Sequence, residues 1–228
     1  MLATVIRSEP DRSSPAAHTY SLASLAALDR IGAIITARSG ETLFHAGDEA
    51  RHYFKVKAGT VRTCRLLAGG KRHVGAFFLE GDYLGLDADD KYRCSAEAVT
   101  DAKLVKYSRS VVGRIVDQHS GLRRRLIDLV SAELSGAQTQ MMLLGRKTAV
   151  ERLASFLLAM AERQGNGDRI SLPMTRTDIA DHLGLSTETV SRTFTEIKTK
   201  GLIHLVGLDG VTVRNRAALE DLADAASA

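Results

Sequence analysis

Tryptophan is absent from this chain of 228 residues, and only three prolines and two cysteines occur. The cysteines, Cys64 and Cys94, are not clustered and are typical of a reducing compartment. No apolar run approaches the roughly 20 residues that a membrane-spanning helix needs, and no signal peptide is evident. We therefore expect a cytoplasmic protein that makes no membrane contact.

Motifs for catalysis and metal binding are also lacking. The sequence has no Ser/His/Asp or Cys/His arrangement and no glycine motif that would cradle a phosphate. Its seven histidines are scattered, without the spacing of metal ligands. We predict that the protein is not an enzyme and that it has no cofactor or metal.

Charge is a weaker guide. The chain carries 31 Lys and Arg residues against 27 Asp and Glu residues, which gives a formal net charge of +4. This balance is compatible with a nucleic-acid partner but does not require one.

The segment 175–192 predicts two helices joined by a tight turn. Thr175 and Asp178 are placed as an N-terminal capping pair for the first helix. Gly184 has the backbone freedom to end that helix. Ser186 is a natural N-cap for the second helix. Together these features indicate a helix-turn-helix.

The second helix has one apolar face and one polar face. Val190, Phe194 and Ile197 follow helical spacing and should point inward. The first turns of the opposite face carry polar side chains: Thr187, Glu188, Ser191 and Arg192. A polar face at this position is typical of a DNA recognition helix, whose N-terminal part meets the major groove.

Each polar side chain has an expected task on DNA. Arg192 can donate to guanine O6 and N7, and Glu188 can accept from the amino group of cytosine. The supporting contacts are expected from Ser191 and Thr187 at the bases and from Thr175, Arg176 and Lys198 at the DNA backbone.

An amphipathic helix pair with a solvated face would show the same periodicity. The continuation of the chain disfavours that simpler interpretation. Gly201 should end the second helix, and residues 202–206 and 211–213 flank a turn at Asp209 and Gly210, as in a hairpin. We therefore predict a winged helix-turn-helix.

The run 178–192, followed by Gly201 and the residues after it, resembles the Crp–Fnr superfamily of bacterial transcription regulators. Glu188, Ser191 and Arg192 match the Glu-x-x-Ser-Arg signature of the branch that reads TTGAT half-sites. The resemblance implies a homodimer on a TTGAT-N4-ATCAA-like palindrome and the recruitment of RNA polymerase, usually as an activator.

Short strands separated by glycine turns are predicted nearer the N-terminus. The candidates are residues 41–44, 53–57, 60–67, 71–78 and 103–107. Strands at this spacing suggest a small antiparallel roll or barrel. The order of the turns resembles the jelly roll of the Crp–Fnr sensor domain, which is of the cyclic-nucleotide-binding type.

A long helix is predicted between the roll and the helix-turn-helix. Its apolar residues recur in steps of three and four, as in an a/d seam: Ile127, Val130, Leu134, Ala137, Met141 and Leu144. Leu122, Leu126 and Leu129 lie on a neighbouring face that can pack on the roll. A single stripe of this kind also suits intramolecular core, whereas the resemblance implies a dimer interface.

The predicted fold class is therefore α+β, with three structured parts after a mobile arm. Residues 1–20 form the arm, which has no periodic pattern. The sensor-like β-roll follows at 21–118, the dimerisation helix at 119–145 and the winged helix-turn-helix domain at 146–228.

Departures from the family pattern bear on what the roll senses. Leu86 stands where the cyclic-AMP branch has Glu, and Tyr92 and Arg93 stand where it has Arg and Ser. A cyclic phosphate would lose its charge-assisted contacts. We therefore expect no cyclic-nucleotide binding.

The other sensing branches fit no better. Two cysteines, neither in the first sixty residues, cannot hold an iron–sulfur cluster within one chain. At the turn where haem-sensing members place ligands, this chain has Gly85 and Asp87. The chain thus resembles the FixK-type branch, an Fnr-like DNA reader without the cluster, whose members serve microaerobic or nitrogen-related genes.

One alternative stays open at this stage. The roll could bind an unidentified small molecule that gates DNA binding. Thiol control is not expected at the position where some FixK-type members carry a redox-sensitive cysteine, because Thr175 occupies it.

Overall fold

A computed structural model describes residues 31–86, 89–118 and 120–224 of the chain. The predicted mobile arm at 1–20 lies outside the described residues. Eight strands form the N-terminal part: β1 Ala33–Ala37, β2 Thr42–Phe44, β3 His52–Ala58, β4 Val61–Leu66, β5 Arg72–Phe78, β6 Tyr83–Leu84, β7 Ser95–Ala98 and β8 Ala102–Ser108.

These strands form two antiparallel sheets of four strands, with the orders β1-β8-β3-β6 and β2-β7-β4-β5. The sheets enclose a core that includes Phe44, Phe54 and Tyr92. The turn between β3 and β4 requires glycine at position 59, because its φ is +85° and a Cβ there would lie 2.3 Å from the Asp101 carbonyl oxygen. We call residues 33–108 the roll.

The rest of the chain is mainly helical. Its elements are α1 Arg109–Gln118, α2 Ser120–Arg146, α3 Ala149–Gln164, β9 Arg169–Ser171, α4 Arg176–Leu183, α5 Thr187–Thr199, β10 Ile203–Val206, β11 Gly210–Val213 and α6 Arg216–Asp224. We call residues 149–224 the winged unit. The predicted fold class is confirmed: a jelly roll precedes a long helix and a winged helix-turn-helix.

The long helix α2 packs on the roll at its start only. Leu122 is buried and contacts the cluster of Tyr107, Val112 and Val116, with Leu126 packed against the same cluster. The sequence did not indicate that α1 is a separate helix before α2. Leu129 still lines the cavity between α2 and the roll, and the apolar side chains from Val130 to Met142 are exposed. Leu143 is buried again, in the core cluster of the winged unit.

The winged unit packs directly on one sheet of the roll. Its core cluster combines Phe156, Ile179 and Leu183 with Val74 and Phe77 of β5. Since the two parts share one continuous apolar cluster, the position of the helix-turn-helix is tied to the roll.

Candidate nucleic-acid interface

The first helix of the motif, α4, begins with a capping box. The Thr175 hydroxyl accepts from the Asp178 amide at 3.1 Å, and Asp178 Oδ2 accepts from the Thr175 amide at 3.1 Å. At the other end, Gly184 has φ 64°, and the Leu185 amide donates to the Ala180 carbonyl at 3.0 Å. Both helix ends form as the sequence predicts.

The second helix, α5, is held by a cap and by its apolar stripe. The Ser186 hydroxyl accepts from the Thr189 amide at 3.1 Å. Val190, Phe194 and Ile197 are all buried between α5 and its neighbours. This packing turns the opposite face of α5 outward.

The outward face carries the predicted base-reading residues. Glu188, Ser191 and Arg192 are exposed, and Thr187 is half-buried. The pKa of Glu188 is lowered, first by a hydrogen bond from its own backbone amide, then by one from the Ser186 side chain, with the Arg192 charge contributing less. Glu188 is therefore an ionised acceptor, as a contact to a cytosine amino group requires.

The hydroxyl groups on this face have partners within the motif, one on the same helix and one on α4. Ser191 Oγ donates to the Thr187 carbonyl at 2.9 Å, and Thr187 Oγ1 lies 3.4 Å from Thr177 Oγ1. A hydroxyl that donates to the helix keeps its lone pairs, so Ser191 can still accept from a base.

The residues predicted to contact the DNA backbone differ in whether their side chains already make contacts within the protein. Lys198 is exposed near the end of α5. The Arg176 guanidinium instead stacks on the Phe194 ring, with its central carbon 3.3 Å from the ring centroid. Burial lowers the pKa of Arg176. Thr175 donates its hydroxyl proton to Asp178 Oδ2 at 2.8 Å.

The wing forms beside the motif as a sheet of three strands. Ile203 pairs with Val213 across β10 and β11, as the predicted hairpin requires. The third strand, β9, was not predicted, and its Ile170 pairs with Val211. Leu208 at the tip of the wing is almost fully exposed.

The predicted dimer seam is exposed along most of its length. Ile127 is 59% exposed, Leu134 59% and Met141 66%, and Val130 and Ala137 are exposed as well. Leu144 differs, because it is half-buried and packs against the core of the winged unit. The apolar stripe thus faces solvent along most of α2 and packs on the winged unit near the end of the helix.

Arg152 links the end of α2 to the helix-turn-helix, a role that the sequence did not indicate. Its guanidinium donates to three carbonyl oxygens, those of Leu144 at 2.9 Å, Lys147 at 2.9 Å and Leu183 at 2.8 Å. These carbonyls end α2 and α4, where intrahelical donors are missing. Arg152 therefore fixes α4 to the long helix.

A second unpredicted link runs from the roll to α4. Arg62 Nη1 donates to Asp178 Oδ1 at 2.8 Å, and Arg72 Nη2 donates to the same oxygen at 2.5 Å. Arg72 Nε also donates to Asp181 at 2.8 Å. Asp178 is only 2% exposed, so this is a buried ion-pair cluster.

His182 at the end of α4 completes the contact with the roll. Its Nδ1 lies 3.1 Å from the Val74 carbonyl oxygen, and its ring packs edge-on against Phe77 at 5.3 Å between centroids. Burial lowers the pKa of His182 to about 4. The side chain is therefore neutral near pH 7, with Nδ1 as the donor.

Tyr92, Arg93 and Leu86, the residues that depart from the cyclic-AMP branch, have different surroundings in the fold. The Tyr92 ring stacks on Phe44 with 3.7 Å between centroids, and its hydroxyl donates to the His52 carbonyl at 2.7 Å. Arg93 pairs with Asp89 at 2.7 Å on the surface. Leu86 lines a cavity of about 30 Å³ between the roll and α2.

Two further observations concern metals and thiols. In the part of the chain that the structure describes, no three His, Cys, Asp or Glu side chains group closely enough to hold a metal ion. Cys64 is buried, and its pKa is raised to about 11, mainly by that burial, which makes the thiol unreactive.

Within residues 31–86, 89–118 and 120–224, no helix combines the length and the apolar character needed to cross a bilayer.

Similar proteins share both parts of this architecture. Residues 151–222 match the family described as the Crp-like helix-turn-helix domain, and residues 34–119 match the cyclic nucleotide-binding domain. The chain is 36% identical over 218 residues to the nitrogen fixation regulation protein FixK of Bradyrhizobium diazoefficiens, covering 94% of this chain and 92% of that protein. It is 42% identical over 193 residues to the protein of the same name from Azorhizobium caulinodans, covering 82% and 77%.

A solved structure has a similar fold over most of its length. FixK2 from Bradyrhizobium japonicum matches with a TM-score of 0.82 at 36% identity, over 84% of this chain and 97% of that chain. The family comprises transcription regulators, not enzymes. The chain belongs to the Crp–Fnr family of helix-turn-helix transcription regulators, in its FixK-type branch.

Proposed function

We propose that this regulator is cytoplasmic and binds a TTGAT-N4-ATCAA-like palindrome as a homodimer. The bound dimer recruits RNA polymerase and thereby activates microaerobic or nitrogen-related genes. The observation that carries the proposal is the exposed face of α5, where Glu188, Ser191 and Arg192 stand in the Glu-x-x-Ser-Arg pattern. Arg192 and Glu188 specify bases, and Ser191 and Thr187 assist.

The homodimer forms along α2. Ile127, Val130, Leu134, Ala137 and Met141 follow a/d spacing and are exposed in the single chain, so a second copy of the helix would bury them. Leu144 adds less, because the winged unit already covers part of it. Pairing would present two recognition helices about 34 Å apart, in successive major grooves.

We assign one role to each of the three structured parts of the chain. Residues 21–118 serve as the sensor-like β-roll, 119–145 as the dimerisation helix and 146–228 as the DNA-binding domain. We further propose that the roll needs no effector, because Phe44 and Tyr92 stack in its interior. A cavity of about 30 Å³ beside Leu86 has room for a water molecule but not for a nucleotide.

Backbone contacts come from the ends of the motif. Lys198 reaches a phosphate from its exposed position on α5. Thr175 lies at the start of α4, where the first amides of a helix point toward an anion. Arg176 must leave the Phe194 ring to reach a phosphate, so its contribution requires a rotamer change.

Direct binding tests the proposal. Purified, ligand-free protein is titrated into a TTGAT-N4-ATCAA duplex and into a scrambled duplex at one salt concentration. We expect a Kd of about 10⁻⁸ M or lower on the palindrome and binding at least about 10³-fold weaker on the scrambled duplex. Equal binding to both would contradict the assigned site, or would show that an effector is needed.

Sedimentation tests the dimer separately. The wild-type protein should sediment as a dimer at micromolar concentration, whereas Leu134→Glu places a charge in the seam and should yield monomers. Glu133→Gln changes the neighbouring exposed position and serves as the control. A monomeric wild-type protein would remove α2 as the dimer interface.

A further inference from the structure

Asp178 bonds to the start of its own helix through one carboxylate oxygen and to the roll through the other. Oδ2 accepts from the amide and the hydroxyl of Thr175, which closes the capping box of α4. Oδ1 accepts from Arg62 of β4 and Arg72 of β5. One buried carboxylate therefore starts the helix and anchors it to a sheet that lies more than 100 residues earlier in the chain.

The surrounding bonds hold the two arginines in place. Arg62 Nε and Nη2 both donate to Glu97 of β7, at 3.1 and 2.7 Å. Arg72 Nε donates to Asp181, one turn after Asp178. Each guanidinium is thus oriented by a second carboxylate, which fixes the direction from which it meets Asp178.

Two histidine hydrogen bonds repeat the link, one from β5 to α4 and one from α4 to β5. His73 of β5 lies 3.1 Å from the Asp181 carbonyl oxygen, and His182 of α4 lies 3.1 Å from the Val74 carbonyl oxygen. Since a carbonyl oxygen only accepts, both histidines donate. Strand β5 and helix α4 are therefore joined along about one turn of helix, from Asp178 to His182.

We propose that Arg62 and Arg72 are positioning residues for DNA reading: through Asp178 they hold α4, and with it the recognition helix α5, at one fixed place relative to the roll and the long helix. The arginines touch no DNA, because they lie between the roll and α4. Their effect on DNA rests on the proposed function, whereas the docking itself does not.

Fixed docking matters because two half-sites must be read at once. A dimer gains avidity only when both recognition helices match the spacing of the operator, and it loses that gain when the geometry is wrong. A rigid winged unit should therefore discriminate strongly between spacers. A loosened unit should tolerate a wrong spacer and bind the correct one less well.

The test compares spacer preference in the full-length protein. Operators with the N4 spacer and with a spacer one base pair longer are bound by the wild type, by Arg62→Ala/Arg72→Ala and by the conservative Arg62→Lys/Arg72→Lys. We expect the wild type to prefer N4 by about 10²-fold and the alanine variant by less than about tenfold. The lysine variant should recover part of the preference, because charge returns without the guanidinium fork.

A matched control comes from the hairpin of β4 and β5. Arg65 on β4 and Lys71 beside β5 are exposed, so Arg65→Ala/Lys71→Ala removes two positive charges from the roll, as the test variant does, without removing the bonds to Asp178. It should keep the spacer preference of the wild type. A general loss of net charge would instead affect both double variants alike.

Hydrogen exchange measures the docking without DNA. In Arg62→Ala/Arg72→Ala, amides of α4 and β5 should exchange faster than in the wild type, while those of the roll core at β3 and β8 stay unchanged. If the double variant does not fold, Asp181→Ala removes only one bond of Arg72 and should shift exchange and spacer preference in the same direction.

The outcomes are separable. Unchanged exchange in α4 together with an unchanged spacer preference would overturn the positioning role. A parallel loss on both spacers, with their ratio preserved, would also overturn it and would leave the cluster with a purely structural role. If the wild type binds neither operator, the proposed function fails, and the exchange result still decides the docking.

Discussion

The two helices of the motif use their charged residues in opposite ways. On α4, Asp178 is buried and Asp181 is half-buried, and both are paired with arginines of the roll. On α5, Glu188 and Arg192 are exposed and point away from the protein. A charge in a buried pair cannot also bind a base edge, so α4 anchors the motif to the roll, and the charges available for the proposed base contacts lie on α5.

Phe194→Ala should have the largest effect, because it removes the side chain on which the two helices meet. The ring is 2% exposed, and Arg176 stacks on it. Loss of a buried phenyl ring costs about 3–5 kcal/mol of unfolding free energy. Urea denaturation followed by circular dichroism measures it. A loss no larger than that of an exposed-face variant such as Lys198→Ala would contradict the packing described for α5.

His182, in the contact of α4 with the roll, should make the stability of the fold depend on pH. Its pKa is about 4 in the fold against 6.5 for an unperturbed histidine, so protonation disfavours the fold. The resulting stability is fully present above about pH 6.5 and is lost as the pH falls toward 4, by about 3 kcal/mol in all. His182→Asn keeps a donor for the Val74 carbonyl without the titrating ring.

Urea denaturation at pH 7, 6, 5 and 4 distinguishes the two proteins. The wild type should lose more unfolding free energy than His182→Asn across this range, and the difference between them should develop mainly below pH 6.5. Parallel curves would show that His182 is accessible to solvent and protonates freely in the fold.

Arg192→Ala should weaken specific DNA binding and leave the stability of the fold unchanged. The exposed side chain makes no buried contact, so unfolding free energy should change little. Operator binding should weaken by about 1–3 kcal/mol per half-site, with discrimination relaxed at one base pair. Competition with single-base operator variants measures this. An equal loss on specific and random DNA would mean that Arg192 contacts a phosphate.

Lys198→Ala should have the smallest effect on DNA binding, and it serves as the comparison for Arg192→Ala. A phosphate contact carries no sequence information, so all duplexes should bind more weakly by the same factor. The slope of log K against log salt concentration should fall by about one for each contact removed. A change in sequence preference would instead place Lys198 at a base.

The features that the sequence predicted are local ones. Thr175 with Asp178, Gly184 and Ser186 act within one or two turns of their own helices, so their spacing predicts their geometry. The five predicted strands are likewise present, within one or two residues at their ends. Of the strands that were missed, β6 and β9 are short and β7 is poor in large apolar residues. Strand β1 was also missed, although it contains Ile34 and Ile35.

The features that the sequence did not predict depend on docking. Arg62 and Arg72 meet Asp178 only because the outer face of one sheet packs on the winged unit. The same applies to Arg176, whose charge suggested a phosphate contact and whose side chain stacks on a ring one helix away. At Leu144 the seam keeps its helical spacing while its surroundings change from solvent to core.

We propose that two copies of α5 read inverted half-sites through Glu188, Ser191 and Arg192. Selection from random duplexes with the full-length, ligand-free protein measures which sequence is bound. We expect enrichment of two inverted TTGAT-like halves at the N4 spacing, with the position read by Arg192 relaxed in Arg192→Ala. Enrichment of an unrelated motif, or a motif unchanged by Arg192→Ala, would contradict it.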